Sequence, residues 1–222
     1  MFGKDLLIRT VSAIVLGPLV IAALWLGNWP FGVFLAIGTL LALHEWVALC
    51  RRGPDHKLML AGIPYILLAF ACLWWLRATG DDAVGRGLAF YIVLSVWAVD
   101  IGAYFAGRAI GGPKLAPRFS PSKTWAGLFG GMAAAALVGT LWARFSGAGY
   151  PELALLLGLL IGIVAQAGDI LESACKRKFG VKDSGSLIPG HGGILDRIDG
   201  LLAATPCFVL FHVTIGAHLN WW

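Results

Sequence analysis

The chain has 222 residues, of which 59% are hydrophobic and only 13% charged, with 30 Gly, 10 Trp and 12 Phe. Soluble domains carry about 25% charged residues, so this composition excludes an ordinary globular protein and describes a polytopic integral membrane protein. The net charge of +5 suits orientation against anionic headgroups, and without a basic-aromatic platform it argues against nucleic acid as a partner.

Crossing about 30 Å of hydrocarbon takes roughly 20 helical residues. Apolar stretches of that order lie near 10 to 27, 30 to 49, 58 to 76, 87 to 107, 126 to 143, 153 to 171 and 200 to 219. They predict about seven transmembrane helices in an all-α fold, because continuous apolarity without strict alternation excludes a barrel. The first span carries Lys4 and Arg9 on its flank but no small-residue cleavage site after it, and reads as a retained helix. The second contains Glu45, beside His44 and Trp46 and a turn from Arg51, and suits an interfacial anchor as well as a site. The fourth contains Asp100 in AVDIGAYFAGR, where Gly102, Ala103 and Gly107 allow helices to pack closely around it.

The loop GGPKLAPRFSPSKTWAG follows, within a polar segment from 108 to 127. Lys114, Arg118, Lys123, Ser120, Ser122 and Thr124 supply enough donors for a polyphosphate. Pro117, Pro121 and Gly127 stiffen it and let a helix begin near Thr124 or Trp125. The sixth span ends in AQAGDILES, with Glu172 and Ser173 three and four positions after Asp169 and so on the same face. An ionisable group within a span costs about 2.5 to 3.5 kcal/mol. Glu45, Asp100 and Asp169 at similar depth therefore imply a hydrated cavity.

The second polar segment, 169 to 200, fills the gap before the seventh span, whose extent is predicted as 172 to 199. In GHGGILDRIDG, Asp196 and Asp199 stand one helical turn apart and project from one face. Two such carboxylates need a cation, and Mg²⁺ is held by one or two carboxylates together with substrate phosphate; Asp169 is the third expected ligand. His191 suits either acid/base chemistry or bracing of the turn, and Gly190, Gly192 and Gly193 can bring backbone N–H groups to an anion at a helix N-terminus. The four Cys, at 50, 72, 175 and 207, form no CxxC pair and read as packing residues.

With residue 1 in the cytoplasm, 14 of the 17 Lys/Arg fall on that side, leaving Arg77, Arg86 and Arg144 opposite. The positive-inside rule then places both polar segments at the cytoplasmic face. Residues 1 to 222 form a single transmembrane domain, since no gap is long enough for a soluble one.

From Ser173 to Asp199 the sequence resembles the CDP-diacylglycerol synthases, or phosphatidate cytidylyltransferases. Ser173, Lys176, Arg177, Lys182, Asp183, Gly185, Ile188, Pro189, His191, Gly192, Gly193, Asp196, Arg197 and Asp199 fit that family's pattern, as do Gln166 to Asp169 and Ser120 to Gly127. The likeness covers the C-terminal 60% or so of the chain. Cys175 replaces a usual aliphatic residue, Ser122 a common Lys and Ala126 a common Glu. The chain is also short for the family, which implies trimmed N-terminal spans.

The resemblance implies attack by a phosphatidate phosphate on the α-phosphorus of CTP, giving CDP-diacylglycerol and diphosphate in phospholipid biosynthesis. Asp169, Asp196 and Asp199 are then expected to hold one or two Mg²⁺, with a second, monovalent cation left open. Lys176, Arg177, Lys182 and Arg197 would stabilise the diphosphate, with His191 as a further catalytic candidate. Ser120, Lys123, Thr124, Lys114, Ser173, Gly192, Gly193 and Asp100 would bind substrate. The partners implied are CTP, phosphatidate, the bilayer of a bacterial inner membrane and a second copy of the chain in a homodimer. A CTP-dependent lipid alcohol kinase is the nearest alternative, separated by releasing CDP instead of diphosphate. A secondary transporter is the alternative from another class, although its carriers should cluster at the midplane and form inverted repeats.

Overall fold

The computed structural model describes residues 2–53, 55–147, 150–190 and 192–216. Seven α-helices follow in chain order: α1 (Phe2–Leu26), α2 (Asn28–Cys50), α3 (His56–Ala78), α4 (Asp82–Ala109), α5 (Trp125–Ser146), α6 (Pro151–Lys178) and α7 (Leu195–Phe211), the last continued by a π-helical turn, His212–Gly216. Six of these segments are long and apolar enough to cross a membrane, and the apolar part of α1, Thr10–Leu26, is shorter. The chain is thus an all-α polytopic membrane protein, with a small β element that the sequence did not predict. The loop between α4 and α5 folds as an antiparallel hairpin, β1 (Lys114–Ala116) with β2 (Ser120–Thr124), pairing Lys114 with Thr124 and Ala116 with Ser120. Pro117 lies in the turn, outside the ladder, where a missing N–H costs no hydrogen bond.

Lipid-facing surfaces carry large apolar side chains such as Trp29, Phe129 and Phe145, as expected where hydrocarbon replaces water. Packing inside the bundle must therefore come from close fit. Small residues line the seams of α4, α5 and α6. A Cβ on Gly102 would lie 2.6 Å from the Gly130 carbonyl oxygen, and one on Gly158 would lie 2.5 Å from that of Ala135. The core along α4 includes Leu88, Tyr91, Ile92 and Val99, all fully buried, and the Tyr91 hydroxyl donates to the Ala154 carbonyl at 3.2 Å. At the end opposite the hairpin, buried Arg77 donates from Nε to the Leu24 carbonyl at 2.8 Å and pairs with Asp82 at 2.7 Å.

Helix termini gather the polar segments at the other end. Lys178, closing α6, pairs with Asp55, whose carboxylate also caps α3 through the Leu58 N–H. The Lys178 ammonium is the main cause holding the Asp55 carboxyl below its ordinary value, so what this pair adds to stability is lost as pH falls through that lowered value. Being exposed, it adds little. Thr124 caps α5 by accepting the Gly127 N–H at 3.0 Å, which fixes the helix start where the proline and glycine punctuation predicted it.

The α5–α6 seam yields a stability test. Gly158→Leu has only neighbouring backbone to displace and should cost about 1–3 kcal/mol, read as a lower melting temperature in detergent. Gly17→Leu on α1, where a Cβ would meet nothing within 4 Å, should leave the melting temperature unchanged or raise it slightly.

Candidate active site

The polar gap is shorter than the sequence predicted, because α6 continues through Ser173, Lys176 and Arg177 to Lys178 and α7 begins at Leu195. Helical spacing consequently governs the sixth span's charges. Asp169 and Ser173, one turn apart, meet at 3.3 Å, with the hydroxyl donating. Glu172 and Lys176, also one turn apart, pair at 2.8 Å.

Two lysines organise the site. Lys123, from the hairpin, reaches α6 and lies 2.6 Å from Asp169 and 2.7 Å from the Gln166 side-chain oxygen. Lys176 is buried and joins Glu172 to Asp196 Oδ1, the latter at 2.5 Å. The other Asp196 oxygen accepts from the Gly193 N–H at 2.8 Å, the Ser184 N–H at 2.9 Å and the Ser184 hydroxyl at 3.0 Å. The structure gives Asp196 the ion partner Lys176, while Arg197 and Lys182 are exposed. The Gly193 N–H, expected to face an anion, is spent on Asp196.

The segment between α6 and α7 folds back on itself through the Ile188 N–H donating to the Gly192 carbonyl at 2.8 Å. Gly190 and Gly192 adopt φ of 75° and 84°, in the left-handed region that favours glycine. His191 lies outside the described residues. Arg177 donates to the carbonyls of Phe119 and Val181, at 3.3 and 3.0 Å, and so ties the hairpin to the segment after α6. Lys114 is exposed, Ser120 is half-buried, and Thr124 is buried with its hydroxyl engaged in capping.

Glu45, which sequence reasoning could not distinguish from an anchor, is 5% exposed and touches the same segment. Its Oε1 accepts from the Ile194 N–H at 3.0 Å, while Oε2 accepts from the Leu195 N–H at 3.1 Å and the Ser184 hydroxyl at 3.1 Å. Ser184, Glu172 and Gln166 were likewise not singled out as site residues. The signals were that Glu45 and Glu172 are acids beside or within apolar runs, that Glu172 shares a helical face with Asp169 and that Gln166 falls in the family pattern; which helix Glu45 would meet is a property of the fold.

Asp196 shares Lys176 with Glu172 and the Ser184 hydroxyl with Glu45. Asp199 feels the charges of Asp169, Glu172 and Asp100, and Asp100 those of Asp169, Lys123 and Arg197. One Glu172 oxygen is buried and has no hydrogen-bond partner. Among the described residues no three or more His, Cys, Asp or Glu side chains are grouped closely enough to hold a metal ion, so the expected triad of Asp169, Asp196 and Asp199 is not preassembled. The donor chemistry nevertheless fits a hard cation: the carboxylates of Asp100, Asp169, Glu172, Asp196 and Asp199 share one region with two lysines, and one Glu172 oxygen is orphaned. Beside this layer a cavity of about 250 Å³ opens between α2, α3, α6 and α7. Its walls are mainly apolar, among them Trp46, Ile66, Leu171 and Leu202, with Glu172 and Asp199 facing in.

Lys176→Met would leave Glu172 and Asp196 buried without their cation. The expected cost is about 3–5 kcal/mol, seen as a fall in melting temperature that adding Glu172→Gln partly reverses.

Comparison with known sequences places these residues in a family. Residues 7–80 and 57–215 match the Cytidylyltransferase family. The phosphatidate cytidylyltransferase of Brucella suis biovar 1 (strain 1330) is 40% identical over an alignment covering 94% of this chain and 93% of that protein. That alignment spans 257 positions against 222 residues here, so the shortening lies within the matched region. The enzymes of the same name from Pseudomonas aeruginosa PAO1 and Rickettsia bellii RML369-C are 48% and 35% identical, covering 90% and 95% of this chain and 94% and 91% of theirs. Matched along nearly all its length, this chain belongs to the cytidylyltransferase family.

Proposed function

We infer that the chain is a phosphatidate cytidylyltransferase, a membrane-bound nucleotidyltransferase that converts CTP and phosphatidate to CDP-diacylglycerol and diphosphate. The observation that carries the reading, beyond the family match, is the pair of lysines set among carboxylates at one end of the bundle. Lys123 enters from the hairpin and Lys176 from α6, so donors from separate segments face one region next to an apolar cavity.

In the reaction a phosphatidate oxygen attacks the α-phosphorus of CTP. The new P–O bond forms as the bond from the α-phosphorus to the α,β-bridging oxygen breaks, and that electron pair leaves with diphosphate. Both reactants are anions, and catalysis of this kind rests chiefly on positioning and charge neutralisation. Lys123, with Ser120 beside it on the hairpin, is suited to grip a phosphate, since exchanging Asp169 for a phosphate oxygen keeps its charge paired. Lys176, together with exposed Arg177, Lys182 and Arg197, is suited to the diphosphate as charge builds on it. Asp169, Asp199 and Asp196 would hold Mg²⁺, with Asp100 and Glu172 adding negative field. When bound, that ion supplies neutralisation of the triphosphate and polarisation of its P–O bonds. The apolar cavity suits an acyl chain arriving sideways from the bilayer. The basic residues gathered at this end support its facing the cytoplasm of a bacterial inner membrane.

Purified protein given labelled CTP, phosphatidate and Mg²⁺ should form CDP-lipid and diphosphate in equal amounts; release of CDP with a phosphorylated lipid would instead identify a kinase. Asp169→Asn and Asp199→Asn should each lower the rate by about 100-fold or more, since ~1.4 kcal/mol corresponds to each factor of ten. Activity within tenfold of the parent in either variant would remove that residue from the proposed metal set.

A further inference from the structure

α7 begins without a cap of its own. The residue before its first turn is Ile194, which has helical φ and ψ and no side chain able to accept a hydrogen bond. The first N–H groups of a helix have no partner inside it, and burying them unpaired is costly. Here the acceptor comes from α2, some 150 positions earlier in the chain: Glu45 takes the Ile194 and Leu195 N–H groups, one on each carboxylate oxygen.

The same carboxylate reaches Ser184, whose hydroxyl lies 3.1 Å from Glu45 Oε2 and 3.0 Å from Asp196 Oδ2. A hydroxyl has one proton, so it serves these two acceptors by sharing or alternation and couples their positions. The approach is tight. A Cβ on Gly193 would fall 2.2 Å from the Ser184 hydroxyl and 2.4 Å from Glu45 Oε2, and one on Gly185 would fall 2.7 Å from Glu45 Oε1. Two glycines of the family pattern thus make room for a side chain from the N-terminal half, a region in which the resemblance found nothing beyond apolarity.

We propose that Glu45 is a positioning residue for the cytidylyl transfer. It fixes the start of α7, and through it the orientation of Asp196 and Asp199, without touching substrate. The proposal rests on the reaction assigned above. It makes the N-terminal spans part of the active site, because α2 sets the angle at which the acids of α7 are presented. Reach is the essential property: two backbone N–H groups and one hydroxyl are spanned by a single carboxylate, so shortening the side chain should be about as harmful as removing it.

The test compares Glu45→Ala, Glu45→Asp and Glu45→Gln with the parent in detergent, well below each protein's melting temperature. Turnover per folded molecule is measured, together with hydrogen exchange of peptides covering 184–200 and 120–127. Displacing a reacting group by about 1 Å can cost roughly 100-fold, and Glu45→Ala and Glu45→Asp should lose activity on that scale. Glu45→Gln keeps the reach but offers one accepting oxygen where the carboxylate uses two, so its activity should fall between that of Glu45→Ala and the parent. Exchange should quicken in 184–200 and stay unchanged in 120–127. Turnover of Glu45→Ala within about threefold of the parent, the scatter of an inconsequential substitution, would overturn the proposal. So would a loss of activity with unaltered exchange in 184–200, or with equal quickening in both peptides. Should Glu45→Ala not fold, Ser184→Ala removes only the coupling hydroxyl and should show the same local exchange change with a smaller loss of turnover; no local change there overturns the proposal. If the parent itself makes no CDP-lipid, the assignment of the reaction fails, and exchange alone decides whether Glu45 holds α7.

Discussion

Lys176 is the charge on which the site's assembly turns. It is 8% exposed, in a region with little water, and it contacts carboxylates from two directions: Glu172 one turn below on its own helix and Asp196 at the start of α7. Each of these groups would be costly to bury alone, and their mutual attraction roughly offsets the desolvation. Such a cluster adds little net stability, but it strongly disfavours arrangements in which any member is unpaired. It therefore acts on specificity, tying the segment before α7 to the end of α6 in one register. Substrate phosphates entering here would find an ammonium already desolvated.

α6 gives this register a mechanical backing. Its charged end presents Asp169 toward the hairpin lysine and Glu172 with Lys176 toward α7, while its earlier turns are held against α5 at backbone distance, through Gly158 beside Ala135 and Gly162 beside Met132. A helix packed so closely cannot slide or roll without backbone clashes. Fixing one helix thus fixes two faces of the site, one for each lysine. Gly168 extends the same logic to α7, because a Cβ there would lie 2.7 Å from the Asp199 carbonyl oxygen.

Much of this was legible in the sequence, for physical reasons that differ between elements. The spans are visible because hydrocarbon imposes length and apolarity on each independently. The α5 start is visible because capping is local: Thr124 and Gly127 are three residues apart. The i,i+4 neighbours on α6 follow from helical spacing once the helix is known to continue, but the polarity of SACKRK made the span seem to end early. What sequence spacing could not provide was pairing across distance. Asp196 was expected to face a metal with Asp169, yet its oxygens are occupied by Lys176, Ser184 and Gly193, and Lys123 stands against Asp169. Nor does alternation in SPSKT announce a strand, since a short hairpin on a membrane surface needs no apolar face.

The ion pairs that replace the expected triad also bear on how the site would work. A carboxylate cluster with no cation would repel itself and, more strongly, the triphosphate. In the structure lysines supply part of the missing charge: Lys123 neutralises Asp169, and Lys176 neutralises Glu172 and Asp196 in part. Each is a flexible point charge on a long stem, able to swing from a carboxylate to a phosphate oxygen while remaining paired. Arrival of a nucleotide would then be an exchange of partners, the lysines moving to phosphate oxygens and leaving the acids able to hold a divalent ion. Such an exchange keeps each charge paired as the substrate enters, which lowers the desolvation penalty of loading a highly charged substrate beside a membrane.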